Sequence, residues 1–275
     1  MLRSAWLSVQ RRRWPARWLI KCSGVAMVAF LTLYPHPSLF VRDVRHLRHL
    51  ETMPEPDNPA LAPWAVQLQS RIGPDVTAAD RLPIVEAFVY EKVPYAFDWD
   101  VWGVADYLPT VSEAVAKARG DCGTRALIAA SLLQRYDPTA HLVMDGKHMW
   151  VASAAGACMH PAGPGVIEAT PSGLRTNWSN LLNIRGPAYG MAVFPLLREL
   201  IILAAVALAL CDPRMSGRTA FVALLLLIQG LLVIRLAARN PWAPVMWGIW
   251  LGFAEMAAAL VMMTVAARRR KRAGQ

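Results

Sequence analysis

Three side chains near the middle of this 275-residue sequence are of the types needed for a nucleophile, a base and an orienting acid. Cys122 closes the run "ARGDC", where a Gly-Asp turn hands over to the apolar stretch "GTRALIAASLL". His148 lies in "KHMWV" and Glu168 in "VIEAT". A thiol at a helix N-terminus gains from the positive end of the helix dipole, and a neighbouring imidazolium adds to that. Its pKa is therefore expected to fall from ~8.5 to about 3.5–7.5. An imidazole that takes the proton, and a carboxylate that holds its tautomer, complete the set. The Cys122 backbone N–H is placed to help hold an oxyanion. Spacing alone keeps other readings open. Cys122 pairs with Cys158 as a disulfide in an oxidising compartment, or fills the core; His148 is a satisfied strand histidine, and Glu168 a strand-end acid.

The elements that must position these groups are legible from hydrophobic period. Helical spacing predicts helices over Ala78–Glu91 and Ser112–Ala118. It also predicts a helix of about 12 residues starting at Cys122, with Ala126, Leu127, Ala130 and Leu133 on one face. The period then changes to two. Ala140–Met144, an Asp145-Gly146 turn and Lys147–Ser153 read as a hairpin, and Gly165–Thr170 as a further strand. His148, Trp150 and Ala152 share a strand face, and Glu168 on the next strand is expected at the same level. Helices followed by antiparallel strands make an α+β domain. The stretch "PEPDNPALAP" (54–63), with four prolines, reads as a tether ahead of it.

The remainder of the sequence reads as membrane. Apolar residues make up 55% of the whole and the mean hydropathy is +0.31, too oily for an ordinary soluble domain. Four stretches are predicted to span: Trp18–Tyr34, Val193–Cys211, Thr219–Ile234 and Trp242–Ala267, each near the ~20 residues a helix needs. The formal charge of +10 raises nucleic acid as a partner, but its distribution excludes it. Between Pro35 and Gly190 there are 13 Lys+Arg against 16 Asp+Glu, which leaves 16 basic against 3 acidic residues for the flanks. Arg3, Arg11, Arg12, Arg13, Arg17 and Lys21 lead into the first span, and Arg268, Arg269, Arg270, Lys271 and Arg272 follow the last. The positive-inside rule then puts both ends in the cytoplasm. The expected order is a basic N-terminus and anchor (1–35), an extracytoplasmic domain (36–190), and three helices with a basic tail (191–275), in a bacterial inner membrane. Arg198, Glu199, Gln229 and Glu255 fall within spans, where polar groups either serve function or hydrogen-bond neighbouring helices. The lipid bilayer is one partner, and a protein or peptide at the membrane surface is the expected substrate.

The run "WGVADYLPTVSEAVAKARGDC" (102–122) resembles the segment around the nucleophile of bacterial transglutaminase-like cysteine proteinases of the periplasmic LapG type. That pattern reads W-G-x-x-D-Y-W-x-T-P-x-E, a spacer, then G-D-C. Asp106, Tyr107, Thr110, Glu113, Gly120, Asp121 and Cys122 fall in register without a gap, and "KHMWV" is similar to the family's His-Met-Val context. The resemblance covers about residues 85–172. It implies a papain-like, transglutaminase-type fold, with Cys122 and His148 as catalytic residues and peptide hydrolysis or acyl transfer as the reaction. Glu168 stands where the family usually has an aspartate. Trp102 and Tyr107 are the candidates for a side-chain oxyanion donor. The reaction requires no cofactor. The family's calcium dependence involves two acids after the cysteine, which here are Gly123 and Thr124, so calcium is left with Asp98, Asp100, Asp106 and Asp121 as candidate oxygen ligands.

Overall fold

The computed structural model describes residues 9, 12–145, 148–159, 165–170, 173–177, 184–211 and 215–273. The protein divides into two compact units, one of Met1–Pro35 with Ile184–Gln275 and the other His36–Asn183.

The first unit is helical. Its elements are α1 (Trp14–Leu33) and, after the other unit, α8 (Arg185–Val193), α9 (Leu196–Leu210), α10 (Gly217–Ala237) and α11 (Met246–Ala273). Three helices are long and apolar enough to cross a membrane: Pro15–Leu33, Gly217–Ala237 and Met246–Ala266. The second expected span is different. α8 and α9 meet at a 111° bend, and the 15 residues of α9 reach only about 22 Å against a hydrocarbon core of ~30 Å. A proline at 195 and an extended Phe194 make the break. The carbonyls it frees are taken up by Arg235 of α10, whose Nη1 donates to Met191 O at 2.8 Å and Phe194 O at 2.7 Å and also pairs with Glu199. Gly230 and Gly252 bring α10 and α11 into backbone contact, since a Cβ on either would lie 2.5–2.6 Å from the other's carbonyl oxygen. Gln229 Nε2 donates to Glu255 Oε1 at 3.0 Å, so these polar groups bond one helix to the next. Residues 185–190, expected in the outer domain, belong to α8 and pack with α10.

The second unit is α+β. Its helices are α2 (Pro37–Arg48), α3 (Ala62–Gln69), α4 (Ala78–Lys92), α5 (Asp98–Val101), α6 (Val111–Lys117) and α7 (Cys122–Leu133). Its strands are β1 (His141–Met144), β2 (Met149–Ser153), β3 (Gly156–Cys158), β4 (Ile167–Thr170) and β5 (Gly173–Thr176). They form one antiparallel sheet in the order β3-β2-β1-β4-β5. The periodicity located α4, α6, α7, β1, β2 and β4, and missed β3, β5, α2, α3 and α5. The turn residues Gly146 and Lys147 lie outside the described residues, but Asp145 N donates to His148 O at 2.9 Å and closes the hairpin on either side of them.

α7 packs against α4 and α6 on one side and β1 and β2 on the other. Every residue from Ala126 to Leu133 is buried, so the predicted one-sided stripe is in fact a helix apolar all round. Leu142 and Val151, paired across β1 and β2, meet it from the sheet, while Val85, Phe88 and Val89 meet it from α4. The proline-rich stretch is not a tether. Leu50 and Leu61 are fully buried in two short 3-10 turns, Leu50–Thr52 and Pro59–Leu61, and Glu55 N donates to the buried Ser131 Oγ at 3.0 Å. The four prolines rigidify a packed segment, because its apolar residues have a core to enter.

The segment before α7 is clamped from two sides. Thr110 and Glu113 form a capping box at the start of α6. Glu113 also accepts from Tyr107 Oη at 3.0 Å and from Arg42 Nη2 of α2 at 2.8 Å. Asp43 accepts from Leu108 N at 2.8 Å, and His46 Nδ1 lies 2.6 Å from Leu108 O. Replacing Glu113 with Ala removes a cap and two side-chain partners at once, a loss of about 2–3 kcal/mol. Full-length protein carrying Glu113→Ala is expected to melt several degrees lower, read by circular dichroism in detergent, with α6 the first helix lost.

Candidate active site

Cys122 is the first residue of α7. Asp121, in an extended conformation, caps the helix by accepting from Thr124 N at 3.1 Å. Gly120 is required just before it, because a Cβ there would fall 2.4 Å from the Thr124 side chain. Gly120 also pairs in parallel with Tyr95: Gly120 N donates to Pro94 O at 3.2 Å and Ala96 N to Gly120 O at 3.0 Å. The turn before Cys122 is thus tied to the segment leaving α4. The Cys122 Sγ donates to Asp121 Oδ2 at 4.0 Å, and the Met149 N–H, the first amide of β2, is near enough to act on the same thiol. His148, the residue before that amide, is held by its own backbone, with His148 N donating to Asp145 Oδ1 at 2.7 Å. Thiol and histidine therefore come to one place, the start of β2.

The imidazole is oriented by a carbonyl. His148 Nε2 lies 2.7 Å from Met159 O, which accepts only from N–H, so Nε2 carries the proton and Nδ1 is the ring's acceptor nitrogen. Glu168, expected behind His148, is elsewhere. The β1–β4 register sets it opposite Val143, and its Oε1 lies 3.1 Å from Nε2 of His141, two residues back along β1. The role expected of Glu168 passes to Met159 O because β1 separates β4 from β2.

The thiol's electrostatics reverse the expectation from the helix dipole. Burial pushes the Cys122 thiol well up, the Asp121 charge pushes the same way, and the Met149 N–H opposes them. Neither cysteine of the anticipated pair is oxidised: Cys122 and Cys158 are both free thiols. Cys158 lies in β3 opposite Val151, and burial raises it to about 12.

Asp98, Asp106 and Asp121 come together, with one oxygen from each lying within 4.8 Å of the others. Asp98 is buried, Asp121 is partly buried and Asp106 is at the solvent edge. Asp98 Oδ2 accepts from Tyr107 N at 2.8 Å, while its buried Oδ1 has no hydrogen-bond partner. Three hard oxygen donors and an orphaned carboxylate oxygen fit a calcium-like cation. Asp100 stands outside the cluster, exposed on α5. Of the two oxyanion candidates, Tyr107 is excluded, because its buried ring sends the hydroxyl to Glu113. Trp102 Nε1 is buried with no acceptor among the described residues.

Two residues escaped the sequence reading. Met159 holds a left-handed backbone, φ +70°, and its N–H is fixed by Glu86 Oε2 of α4 at 2.9 Å while its C=O holds His148. Glu86 also bonds Tyr90, whose hydroxyl is raised to about 12 by burial first and by Glu86 next. Glu86 sits four residues before Tyr90 on a predicted helix, which is a visible signal, but nothing in a sequence ties it to residue 159. Compared with family models, with curated proteins and with solved structures, the protein matches none.

Two outcomes follow from this geometry. Glu86→Leu strands the Met159 N–H and loosens the His148 carbonyl partner, so alkylation of Cys122 by iodoacetamide is expected to slow about tenfold. Glu86→Gln keeps an acceptor and is expected to retain most of the parent rate. The second outcome concerns pH. Burial raises Asp43 to about 7 and pushes Asp98 and Asp121 above the ordinary carboxylate range. Acids whose folded pKa is raised stabilise the fold at low pH, and that stability is lost as pH climbs from about 4 through the raised values. Cation-free protein is therefore expected to melt progressively lower from pH 5 to pH 8. Calcium is expected to restore the melting point at pH 8 more than at pH 5, and Asp98→Asn to flatten both effects. Melting curves in EDTA and in calcium across that range make the check.

Proposed function

We propose that this protein is a membrane-anchored cysteine hydrolase of transglutaminase-like type, with residues 36–183 outside the cytoplasm and both termini inside. Its papain-like character and topology rest on the motif resemblance and on the basic flanks. One observation carries the reading most: the Cys122 thiol at the start of α7 stands near the Met149 amide, at the head of the strand where His148 is oriented through Nε2 by Met159 O and offers Nδ1 as a base. The substrate is an exported or membrane-proximal protein or peptide.

In the first step the Cys122 Sγ–H proton passes to His148 Nδ1 as sulfur bonds to the carbonyl carbon. The Cys122 amide N–H at the helix start, with Trp102 Nε1–H as the candidate side-chain donor, stabilises the oxyanion. The C–N bond then breaks, and His148 returns the proton to the departing amine. Water, deprotonated by His148, adds to the thioacyl group and releases the acid, restoring the thiol. An amine in place of water gives transamidation by the same steps. A thiol held neutral by burial suits this route, since its proton leaves together with attack and no resting thiolate is needed. Asp98, Asp106 and Asp121 are the residues that would hold a calcium ion, whose charge would offset the carboxylates gathered beside the thiol.

A second reading is a catalytically silent binding module, favoured by the upward push on Cys122 and by the engagement of Glu168 with His141. The two readings part on one experiment. New N-termini among extracytoplasmic proteins, mapped by mass spectrometry in cells expressing the parent, are expected to disappear with Cys122→Ala. They are expected to fall at least about 100-fold with His148→Ala. Identical N-termini with Cys122→Ala at equal protein level would sink the hydrolase. New isopeptide bonds in place of new termini would assign transamidation.

A further inference from the structure

Arg125 lies one turn along α7 from Cys122, on the same side of the helix. Its Nε donates to Val93 O at 2.8 Å. Its guanidinium lies over the rings of Tyr90, at 4.6 Å, and Tyr95, at 5.2 Å. One nitrogen is thus tied to backbone and the plane is confined by two aromatic rings, which fixes the direction of the remaining Nη edge. Among the described residues no carboxylate forms an ion pair with it, although the residue is only partly exposed. Cys122 and Asp121 are nevertheless near enough for their charges to act on it.

A half-buried guanidinium without a counter-ion is costly to keep, while its two Nη groups match a carboxylate in bidentate fashion. Tyr95 is 47% exposed, and its segment is bound to Gly120, two residues before the thiol. The Arg125 side chain is thus only partly covered, beside an exposed Tyr95 ring and one helical turn from Cys122. We infer that Arg125 is the carboxylate receptor of the Cys122 site, and that the substrate is a peptide bearing a carboxylate close to the carbonyl that sulfur attacks. This rests on Cys122 being the nucleophile, as proposed above. The carboxylate belongs either to a peptide's free C-terminus or to an Asp or Glu residue within it.

The test compares alkylation of Cys122 in full-length protein by iodoacetate and by iodoacetamide, which differ in charge alone, read by mass spectrometry. The rate ratio of iodoacetate to iodoacetamide is expected to fall about tenfold or more in Arg125→Gln, with Arg125→Lys between. A ratio unchanged by Arg125→Gln, with both reagents still labelling, overturns the receptor and leaves the nucleophile standing. Failure of both reagents to label Cys122 in the parent, even at about pH 10 where a raised thiol ionises in part, removes the nucleophile reading, and this inference with it. Protection of the parent gives an independent arm that needs no variant. N-acetyl-Ala-Ala, with a C-terminal carboxylate, or N-acetyl-Glu-amide, with its carboxylate on the Glu, is expected to slow iodoacetamide labelling, and whichever protects names the source. Protection by neither beyond that of neutral N-acetyl-Gln-amide overturns the proposal.

Discussion

Helix α7 is buried throughout from Ala126 to Leu133, and the α+β unit is organised around that constraint. A stretch of helix buried on all sides must receive partners from every direction: α4 and α6 on one side, β1 and β2 on the other. It has few ways to satisfy its terminal amides. At its N-terminus the solution is Asp121, whose carboxylate bonds Thr124 N, and this puts a negative charge next to the thiol that the helix also presents. The cap that stabilises the helix thus works against ionisation of Cys122. The favourable end of the helix dipole is already used by the aspartate.

Around that end the protein gathers more charge than its own hydrogen bonds absorb. Asp98, Asp106 and Asp121 crowd together with one oxygen of Asp98 unpartnered, while Glu113, equally tied into the fold, is lowered by Arg42, Tyr107 and the Thr110 amide despite its burial. Where a carboxylate serves architecture, as Glu113 does, donors surround it. Near Cys122, Asp98 keeps one buried oxygen unmet, the kind of local inconsistency on which the proposed site rests. Arg125, a cation without an ion-pair partner among the described residues and on the same helix face, is the complementary case.

The membrane unit solves its polar problem by pairing. The broken α8–α9 joint would expose backbone carbonyls, and the Arg235 guanidinium, already neutralised by Glu199, takes two of them. Gln229 and Glu255 bond across the α10–α11 pair, whose close approach the two glycines allow. These contacts pair Glu199 with Arg235 and Gln229 with Glu255, while Glu255 Oε2 is buried with no hydrogen-bond partner among the described residues.

The amino-acid sequence by itself determined the local elements and the chemistry-bearing residues. Hydrophobic period located α7, α4 and the β1–β2 hairpin, the turn before Cys122 announced a helix start, and the basic flanks marked the apolar ends. Those signals are local, set by spacing and by residues a few positions apart. Tertiary structure decided everything that depends on which distant segments meet. The short edge strands β3 and β5 carry too little pattern to read. The bend at Pro195 shortened an apolar run that composition alone counts as a span. Strand order, which no single strand encodes, put β1 between Glu168 and His148, gave Glu168 to His141, and brought Met159 and Glu86 to the imidazole. The upward push on Cys122 is likewise a product of folding, because burial and the assembled aspartates exist only once residues 98, 106 and 121 are in one place.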